Sequence, residues 1–155
     1  MQQAAILWHV SLLAPPGRKA LALGIVGLVR VAPIILFSLI SGVVADAWNR
    51  RRQMLITQSA SMVFAVILAL LTFRGVSVMW PIYLLAALGS TAGAFDLPAR
   101  QSLIPMLLPR KHLPNAISLN LMMFQAASVT GPALAGLMIA SVQIGWVYLI
   151  NALSF

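Results

Sequence analysis

Cysteine is absent from the 155-residue sequence, and only two of its residues are acidic. Without cysteine the chain has no disulfide, no thiol nucleophile and no zinc site built on thiolates. Charged residues make up 8% of the sequence, whereas an ordinary soluble domain has about 25%. Hydrophobic residues make up 61%, and the mean hydropathy is +0.98. This composition excludes a water-soluble globular fold and predicts a membrane protein.

Basic residues outnumber acidic residues ten to two, which gives a formal net charge of +8. A nucleic-acid-binding protein clusters its cations on one wetted face and interleaves them with aromatic residues. Here the basic residues form short clusters, separated by apolar stretches close in length to one membrane crossing. We therefore expect the chain to lie in a lipid bilayer and not to bind nucleic acid. The basic clusters would then act as topology signals.

Windows without charged residues indicate where the chain crosses the membrane. A helix needs about 20 apolar residues to cross ~30 Å of hydrocarbon. The windows 53–73 and 75–95 each contain 21 uncharged residues, enough for one crossing and too few for two. Apolar residues 1–13 and 145–155 are too short to cross alone, and we interpret them as partial helices. The predicted complete spans are 21–46, 53–73, 76–96 and 115–140.

The distribution of lysine and arginine between the predicted loops indicates the orientation. Six of these residues lie on one side of the membrane and three on the other. Because short cytoplasmic loops carry an excess of basic residues, the loops near 46–52 and 100–114 are predicted to face the cytoplasm. The predicted location is the inner (plasma) membrane. The six are Arg50, Arg51, Arg52, Arg100, Arg110 and Lys111, and the three are Arg18, Lys19 and Arg74.

Small residues recur four positions apart in two predicted spans, one as a pair and one as a stripe. Such spacing typically allows helices to pack closely in membranes. Pro132 lies within the stripe, where it removes a backbone hydrogen bond and bends the helix. A bent, closely packed helix would suit a moving interface. The pair is Gly89 and Gly93, and the stripe is Ala127, Gly131 and Ala135.

Both acidic residues lie where a predicted span reaches the cytoplasmic boundary. Asp46 ends its helix where the helix dipole repels a carboxylate, so it requires a partner such as the arginines at 50–52. Asp96 repeats this arrangement, because Pro98 is expected to stop its helix and Arg100 follows. These ion clusters either only fix the topology or also act as a conformational gate.

Arg30 is the one charged residue deep within a predicted span. Burial of an arginine in lipid costs at least ~2.5 kcal/mol, so such a residue is a functional candidate by default. It either extends to the outer headgroups or faces a cavity, where it would favour an anionic group on a substrate. Gln125 is a polar residue in a span and could likewise line the cavity or bond a neighbouring helix.

The segment Gly42–Arg52 resembles the G-xxx-D-(R/K)-x-G-(R/K)-(R/K) signature that lies between helices two and three of the major facilitator superfamily. The glycine, the aspartate and the paired arginines of the signature are present. Two positions depart from it, because Ala47 stands where a cation is usual and Asn49 where glycine is usual.

Further segments extend this resemblance over nearly the whole chain. Thr130–Gly136 is similar to the helix-five motif that is common in antiporter members of the superfamily. Phe95–Gln101 and His112–Ala116 resemble the branch that contains the enterobactin exporter and related secretion effectors. The positions of the helix-five motif that match are Gly131, Pro132 and Gly136.

The resemblance implies an all-α membrane protein, namely the N-terminal six-helix half of a major facilitator fold with four complete spans and two truncated ones. It implies a secondary active transporter that exports a siderophore- or drug-like small molecule by alternating access, without a cofactor or a metal. Antiport is implied by the family alone, because no carboxylate lies in the middle of a predicted span. The implied partner is the missing C-terminal six-helix half.

The resemblance also implies that the cytoplasmic charges latch the outward-open state, partly by meeting a helix of the missing half. We interpret the sequence as a fragment or a truncated frame, which would not transport on its own. The residues assigned to this latch are Gly42, Asp46, Arg50, Arg51, Arg52, Asp96 and Arg100.

Three other classes of protein can be weighed against a transporter half. An intramembrane phosphotransferase would need four carboxylates, and the sequence has two, so we do not expect an enzyme. A small efflux protein that works as a homo-oligomer matches the length but usually has an acidic residue in its first span. If the chain were a non-transporting membrane scaffold, Arg30 and the Asp46 cluster would have no function.

Overall fold

The computed structural model describes residues 1–107 and 109–155. The side chains that it leaves undescribed within these ranges are those of Leu39, Ala45, Asp46, Ala47, Ile104, Leu107 and Arg110.

The described residues form six α-helices and no strand. Short 3-10 turns, Pro16–Arg18 and Arg110–His112, precede the second and the fifth helix. The predicted all-α fold class is therefore confirmed. The helices are α1 Gln2–Leu13, α2 Lys19–Ala47, α3 Arg50–Phe73, α4 Trp80–Leu107, α5 Leu113–Ser141 and α6 Ile144–Leu153.

Four helical stretches among the described residues are long and apolar enough to cross a membrane. α6 is equally apolar but has only 10 residues, which is about half of the length that a crossing needs. A chain with four such stretches is a multi-pass membrane protein. The four stretches are Pro16–Ser38, Arg50–Phe73, Trp80–Leu103 and Leu113–Ser141.

α4 differs from the predicted span at both of its ends. It begins at Trp80 rather than at residue 76, and Pro81 suits its first turn because proline has a helical φ and no amide to leave unpaired. The expectation that Pro98 stops this helix is wrong, since α4 continues to Leu107 with Pro98 inside it. A neighbouring helix can supply hydrogen bonds to the backbone around an intramembrane proline, so the helix does not have to end there.

The start of α3 explains one departure from the superfamily signature. Asn49 is the N-cap of α3, and its Oδ1 accepts hydrogen bonds from the amides of Arg51 and Arg52 at 3.1 and 3.4 Å. Asparagine is among the best N-cap residues because it satisfies amides that have no partner within the helix. Asn49 thus stabilises the turn in which the signature usually has glycine.

The packed core lies towards the ends of the helices that are predicted to face outward. α4 packs mainly against α2 and α3, α3 also packs against α6, and α1 contacts α2, α5 and α6. α5 lies largely exposed at the edge of the bundle, and Ala135 is its buried residue. The largest fully buried side chains are Tyr148, Leu68, Val10, Val26 and Val147.

Two hydrogen-bonded pairs of polar side chains join α1 to α6. The Tyr148 hydroxyl lies 3.3 Å from Nδ1 of His9, and both side chains are buried. The Asn151 amide donates to Oε1 of Gln2 at 2.9 Å. Buried polar groups without such partners would cost free energy in an apolar bundle, so each pair specifies how α1 and α6 meet.

The glycines Gly89 and Gly93 do not have the packing role that their spacing predicts. A Cβ atom added at either glycine would have no atom within 4 Å beyond its own helix and chain neighbours. Both residues instead line an open space within the bundle. Because glycine has no side chain, a pair of glycines on one helix face also leaves room for a cavity.

Candidate functional site

α3 and α4 are joined by two polar contacts near their predicted cytoplasmic ends. The side-chain amide of Gln53 donates to the backbone carbonyl of Phe95 at 2.9 Å. One turn further along α3, the Thr57 hydroxyl lies 2.8 Å from Oδ1 of Asp96 and donates to it. Gln53 and Thr57 are both buried. In this apolar interface, two side chains four residues apart on α3 hold two successive residues of α4.

Asp96 is also paired with a cation of its own helix. Its Oδ2 lies 3.2 Å from the guanidinium of Arg100, one turn later, and the Asp96 side chain is 19% exposed. The Arg100 side chain is 50% exposed, so water screens this ion pair more than it screens the buried bond from Thr57. The carboxylate is thus satisfied on one oxygen by α3 and on the other by α4.

The arginines at the start of α3 have different surroundings. Arg50 contacts the sulfur of Met106, near the end of α4. Arg51 and Arg52 are exposed, and their side chains make no hydrogen bond or ion pair within the part of the chain that the structure describes. The predicted pairing of these arginines with Asp46 lies outside the described side chains. Gly42, the glycine of the same segment, is half-buried in α2.

A cavity of about 350 Å³ lies among α1, α2, α3 and α4. Most of its wall is apolar or backbone, and Asp96 and its ion-pair partner Arg100 are among the residues that line it. A cavity of this volume is large enough for a small organic molecule or ion. The polar and charged residues that line it are Gln2, Gln3, Arg30, Gln58, Ser61, Ser90, Asp96 and Arg100.

Arg30 lines this cavity from α2. It is partly exposed, and it has no hydrogen bond or ion pair to any described residue. Asp96, the acidic residue that shares the cavity, is already bonded to Thr57 and Arg100. Within the described part of the chain, the positive charge of Arg30 in this cavity is therefore not compensated, and the neutral polar side chains of Gln58 and Ser61 line the same cavity.

Gln125 does not join Arg30 in the cavity. It is exposed on α5, where its backbone carbonyl accepts a hydrogen bond from the Ser128 hydroxyl at 2.7 Å. The matching positions of the helix-five motif follow about two to three turns later, with Gly131 half-buried and with Pro132 and Gly136 exposed. Ser128 and Pro132 border a second groove, between α5 and α1. The two predicted cavity residues thus lie at separate places in the fold.

The geometry and the signature residues agree with one family of proteins. The sequence profile of the transmembrane secretion effectors matches residues 1–155, which is the whole chain. The chain belongs to the transmembrane secretion effector family. This assignment confirms the resemblance to major facilitator transporters that its motifs carry.

Curated relatives of this transmembrane secretion effector are transporters of the same superfamily. The staphyloferrin A transporter of Staphylococcus aureus is 29% identical over 138 residues, which cover 88% of the chain and 35% of the relative. The uncharacterized MFS-type transporter YfiS of Bacillus subtilis is 29% identical over 123 residues, 79% of the chain and 28% of the relative. The chain thus spans about a third of the length of the relatives that it matches. No solved structure matches it with significance.

Gln53 and Thr57 are residues of the candidate site that the sequence analysis missed. With Ser61 they form a series of polar residues at spacing four in the first half of α3, which also contains Gln58 and Ser59. Residues at this spacing share one face of a helix, so the series predicts a polar face turned towards another helix. The contact of Gln53 with a backbone carbonyl of α4 has no signal in the sequence, because every residue has such a carbonyl.

Proposed function

We propose that this chain forms the N-terminal half of a secondary active transporter that exports a small molecule by alternating access. The observation that carries the proposal is the cavity, which is lined by Arg30, an arginine without a hydrogen bond or ion pair to the described residues, and by Asp96 with its polar and ionic contacts. Membership in a transporter family supports transport rather than catalysis. The substrate would be siderophore-like or drug-like, and the relative named for staphyloferrin A supports a siderophore.

The substrate in this proposal has an anionic group that binds Arg30. The planar guanidinium donates up to five hydrogen bonds and suits carboxylates and phosphates in bidentate geometry. Gln58, Ser61 and Ser90 add neutral hydrogen-bonding groups to the lining of the same cavity. An anion would compensate the charge of Arg30, which has no ion-pair partner among the described residues, in a medium of low dielectric constant.

The proposed partner of the chain is a second six-helix half. Secondary transporters of this type have two repeats that move against each other around a substrate site near the middle of the membrane. The long exposed face of α5 and its proline are suited to such an interface. The similarity of 130–136 to the antiporter motif supports exchange against an ion, and the latch residues would close the cytoplasmic side.

The proposed orientation in the inner membrane can be tested by cysteine labelling, because the sequence contains no cysteine. A membrane-impermeant maleimide added to intact cells is expected to label Ser77→Cys, in the loop between α3 and α4. It is expected to label His112→Cys, before α5, only after the cells are permeabilised. Both positions are exposed, so burial does not determine the result. The opposite pattern would contradict the proposed topology and the cytoplasmic latch.

The proposed function can be tested by exchanging a segment with the staphyloferrin A transporter. The 138 residues that match this chain would replace the corresponding segment of that transporter. We expect cells with the exchanged protein to move staphyloferrin A or radiolabelled citrate across the membrane, and to lose this movement when the membrane is de-energised. The amount of protein in the membrane is the control. A protein that inserts at the parental level and moves neither probe would contradict the proposal.

A further inference from the structure

The proline inside α4 leaves a local defect in the backbone hydrogen bonding of that helix. In a regular helix the amide of residue 98 would donate to the carbonyl of Ala94. Pro98 has no amide hydrogen, and its ring presses against the preceding turn, which kinks a helix. The angle and direction of such a kink depend on the groups that contact the turn before the proline.

Gln53 of α3 contacts this turn directly. Its amide donates to the carbonyl of Phe95, next to the Ala94 carbonyl that loses its partner, at 2.9 Å. Gln53 is 4% exposed, and Ala99, which directly follows the proline, is 0% exposed. The side-chain oxygen of Gln53 has no hydrogen-bond partner among the described residues. Gln53 is therefore held by the single bond that it donates to α4.

Thr57 provides a second point of attachment on the same face of α3. Its hydroxyl lies 2.8 Å from Asp96, the residue after Phe95. A single contact would allow the end of α4 to rotate about it. Two contacts that lie one helical turn apart on α3 resist this rotation. Residues 99–107 of α4 continue from this attachment and include Arg100 and Met106.

We infer that Gln53 is a positioning residue that fixes the bend of α4 at Pro98, and with it the placement of the cytoplasmic end of α4. This inference rests on the proposed function in one respect only, which is the role of the bend. In the proposed transporter, the bend places Arg100 and the contact between Arg50 and Met106 for the latch. An internal proline is expected to bend α4 whether or not the chain transports anything. The bend can therefore be measured without any transport.

The experiment measures the distance between spin labels at Val43→Cys on α2 and Met106→Cys on α4, in the 155-residue chain in detergent micelles. Both positions are exposed, and the absence of native cysteine makes the labelling specific. Met106 lies eight residues beyond Pro98, an arm of ~12 Å. A change of about 20° in the bend would move this label by roughly 4 Å.

Gln53→Met is expected to widen or shift the distance distribution by about that amount, because methionine has a similar length and donates no hydrogen bond. Gln58→Met is the matched control, since Gln58 lies on the same helix and its side chain makes no hydrogen bond to the described residues of α4. It is expected to leave the distribution unchanged. A Gln53→Met distribution identical to that of the parent would overturn the inference.

A second variant separates the bend from general packing. Pro98→Ala restores the missing amide and removes the cause of the bend. In a Pro98→Ala background, the further change Gln53→Met is expected to have no effect on the distance. An effect of the same size with and without Pro98 would show that Gln53 acts on packing, and the inference would be wrong. The proposed transport could fail its own test without affecting either result.

Discussion

Replacing Arg30 with glutamine is expected to reduce transport of an anionic probe by about 10- to 100-fold. Hydrogen bonds to a charged group contribute about 1.5–3 kcal/mol, and ~1.4 kcal/mol corresponds to a factor of ten. Glutamine keeps hydrogen-bonding capacity but loses the charge that compensates a bound carboxylate. The measurement is the rate of citrate or staphyloferrin A movement in the segment-exchanged transporter.

Two further variants identify the cause of any loss. Arg74→Gln removes an arginine from the exposed turn after α3, so it is expected to leave the rate unchanged. Arg30→Lys keeps the charge without the planar, bidentate geometry and is expected to give an intermediate rate. If Arg30→Gln moved the probe as fast as the parent, Arg30 would not bind the anion. Its place in the cavity would then have another purpose.

The long apolar helices could be predicted from the sequence because the membrane imposes one dominant constraint. A crossing needs an uninterrupted apolar length, and charged residues at both ends of 53–73 mark it clearly. α3 and α5 begin and end within three residues of the predicted limits. α4 did not follow this pattern, since Asp96 and Arg100 lie within its helix and not beyond its end. Charge marks where a helix leaves the hydrocarbon, but the hydrogen bonding of its backbone decides where the helix ends.

The candidate site could be predicted only in part, because a site depends on which helix faces meet. Arg30 was recognised from its depth in the span, which needs no knowledge of its neighbours. The bond from Thr57 to Asp96 requires the position of α3 relative to α4, and spacing within one helix does not specify a partner. For the same reason the prediction for Gly89 and Gly93 was wrong. Their spacing predicted a close contact between helices, whereas in the fold they line a cavity.

The described contacts make one end of the helix bundle rigid and leave the other end easier to rearrange. Large apolar side chains of α1, α2, α3, α4 and α6 fill the predicted outer part. Towards the predicted cytoplasmic side, the cavity and a few polar contacts replace that packing. A few hydrogen bonds can be exchanged at low cost, whereas a packed core cannot be rearranged without losing many contacts. Opening of this chain is therefore expected at the Asp96 end.

Removal of the Asp96 carboxylate tests this expectation through access to the cavity. In the cysteine-free chain, Ser90→Cys places one thiol on the cavity wall. In lipid nanodiscs, Asp96→Ala is expected to raise the rate of its reaction with an impermeant maleimide about tenfold. The bond from Thr57 to a carboxylate is worth about 1.5–3 kcal/mol, and its loss favours the open arrangement by at least a factor of ten.

Arg100→Gln should raise the rate less, because the Arg100 side chain is half-exposed and water screens its ion pair with Asp96. Arg74→Gln removes an exposed arginine from the turn after α3, outside the residues assigned to the latch, and it is expected to leave the rate at the parental value. An Arg100→Gln effect as large as that of Asp96→Ala would mean that the ion pair, and not the buried bond from Thr57, keeps the cavity closed. A rate unchanged by Asp96→Ala would remove Asp96 from the latch, because a group that closes the cavity must change access when it is lost.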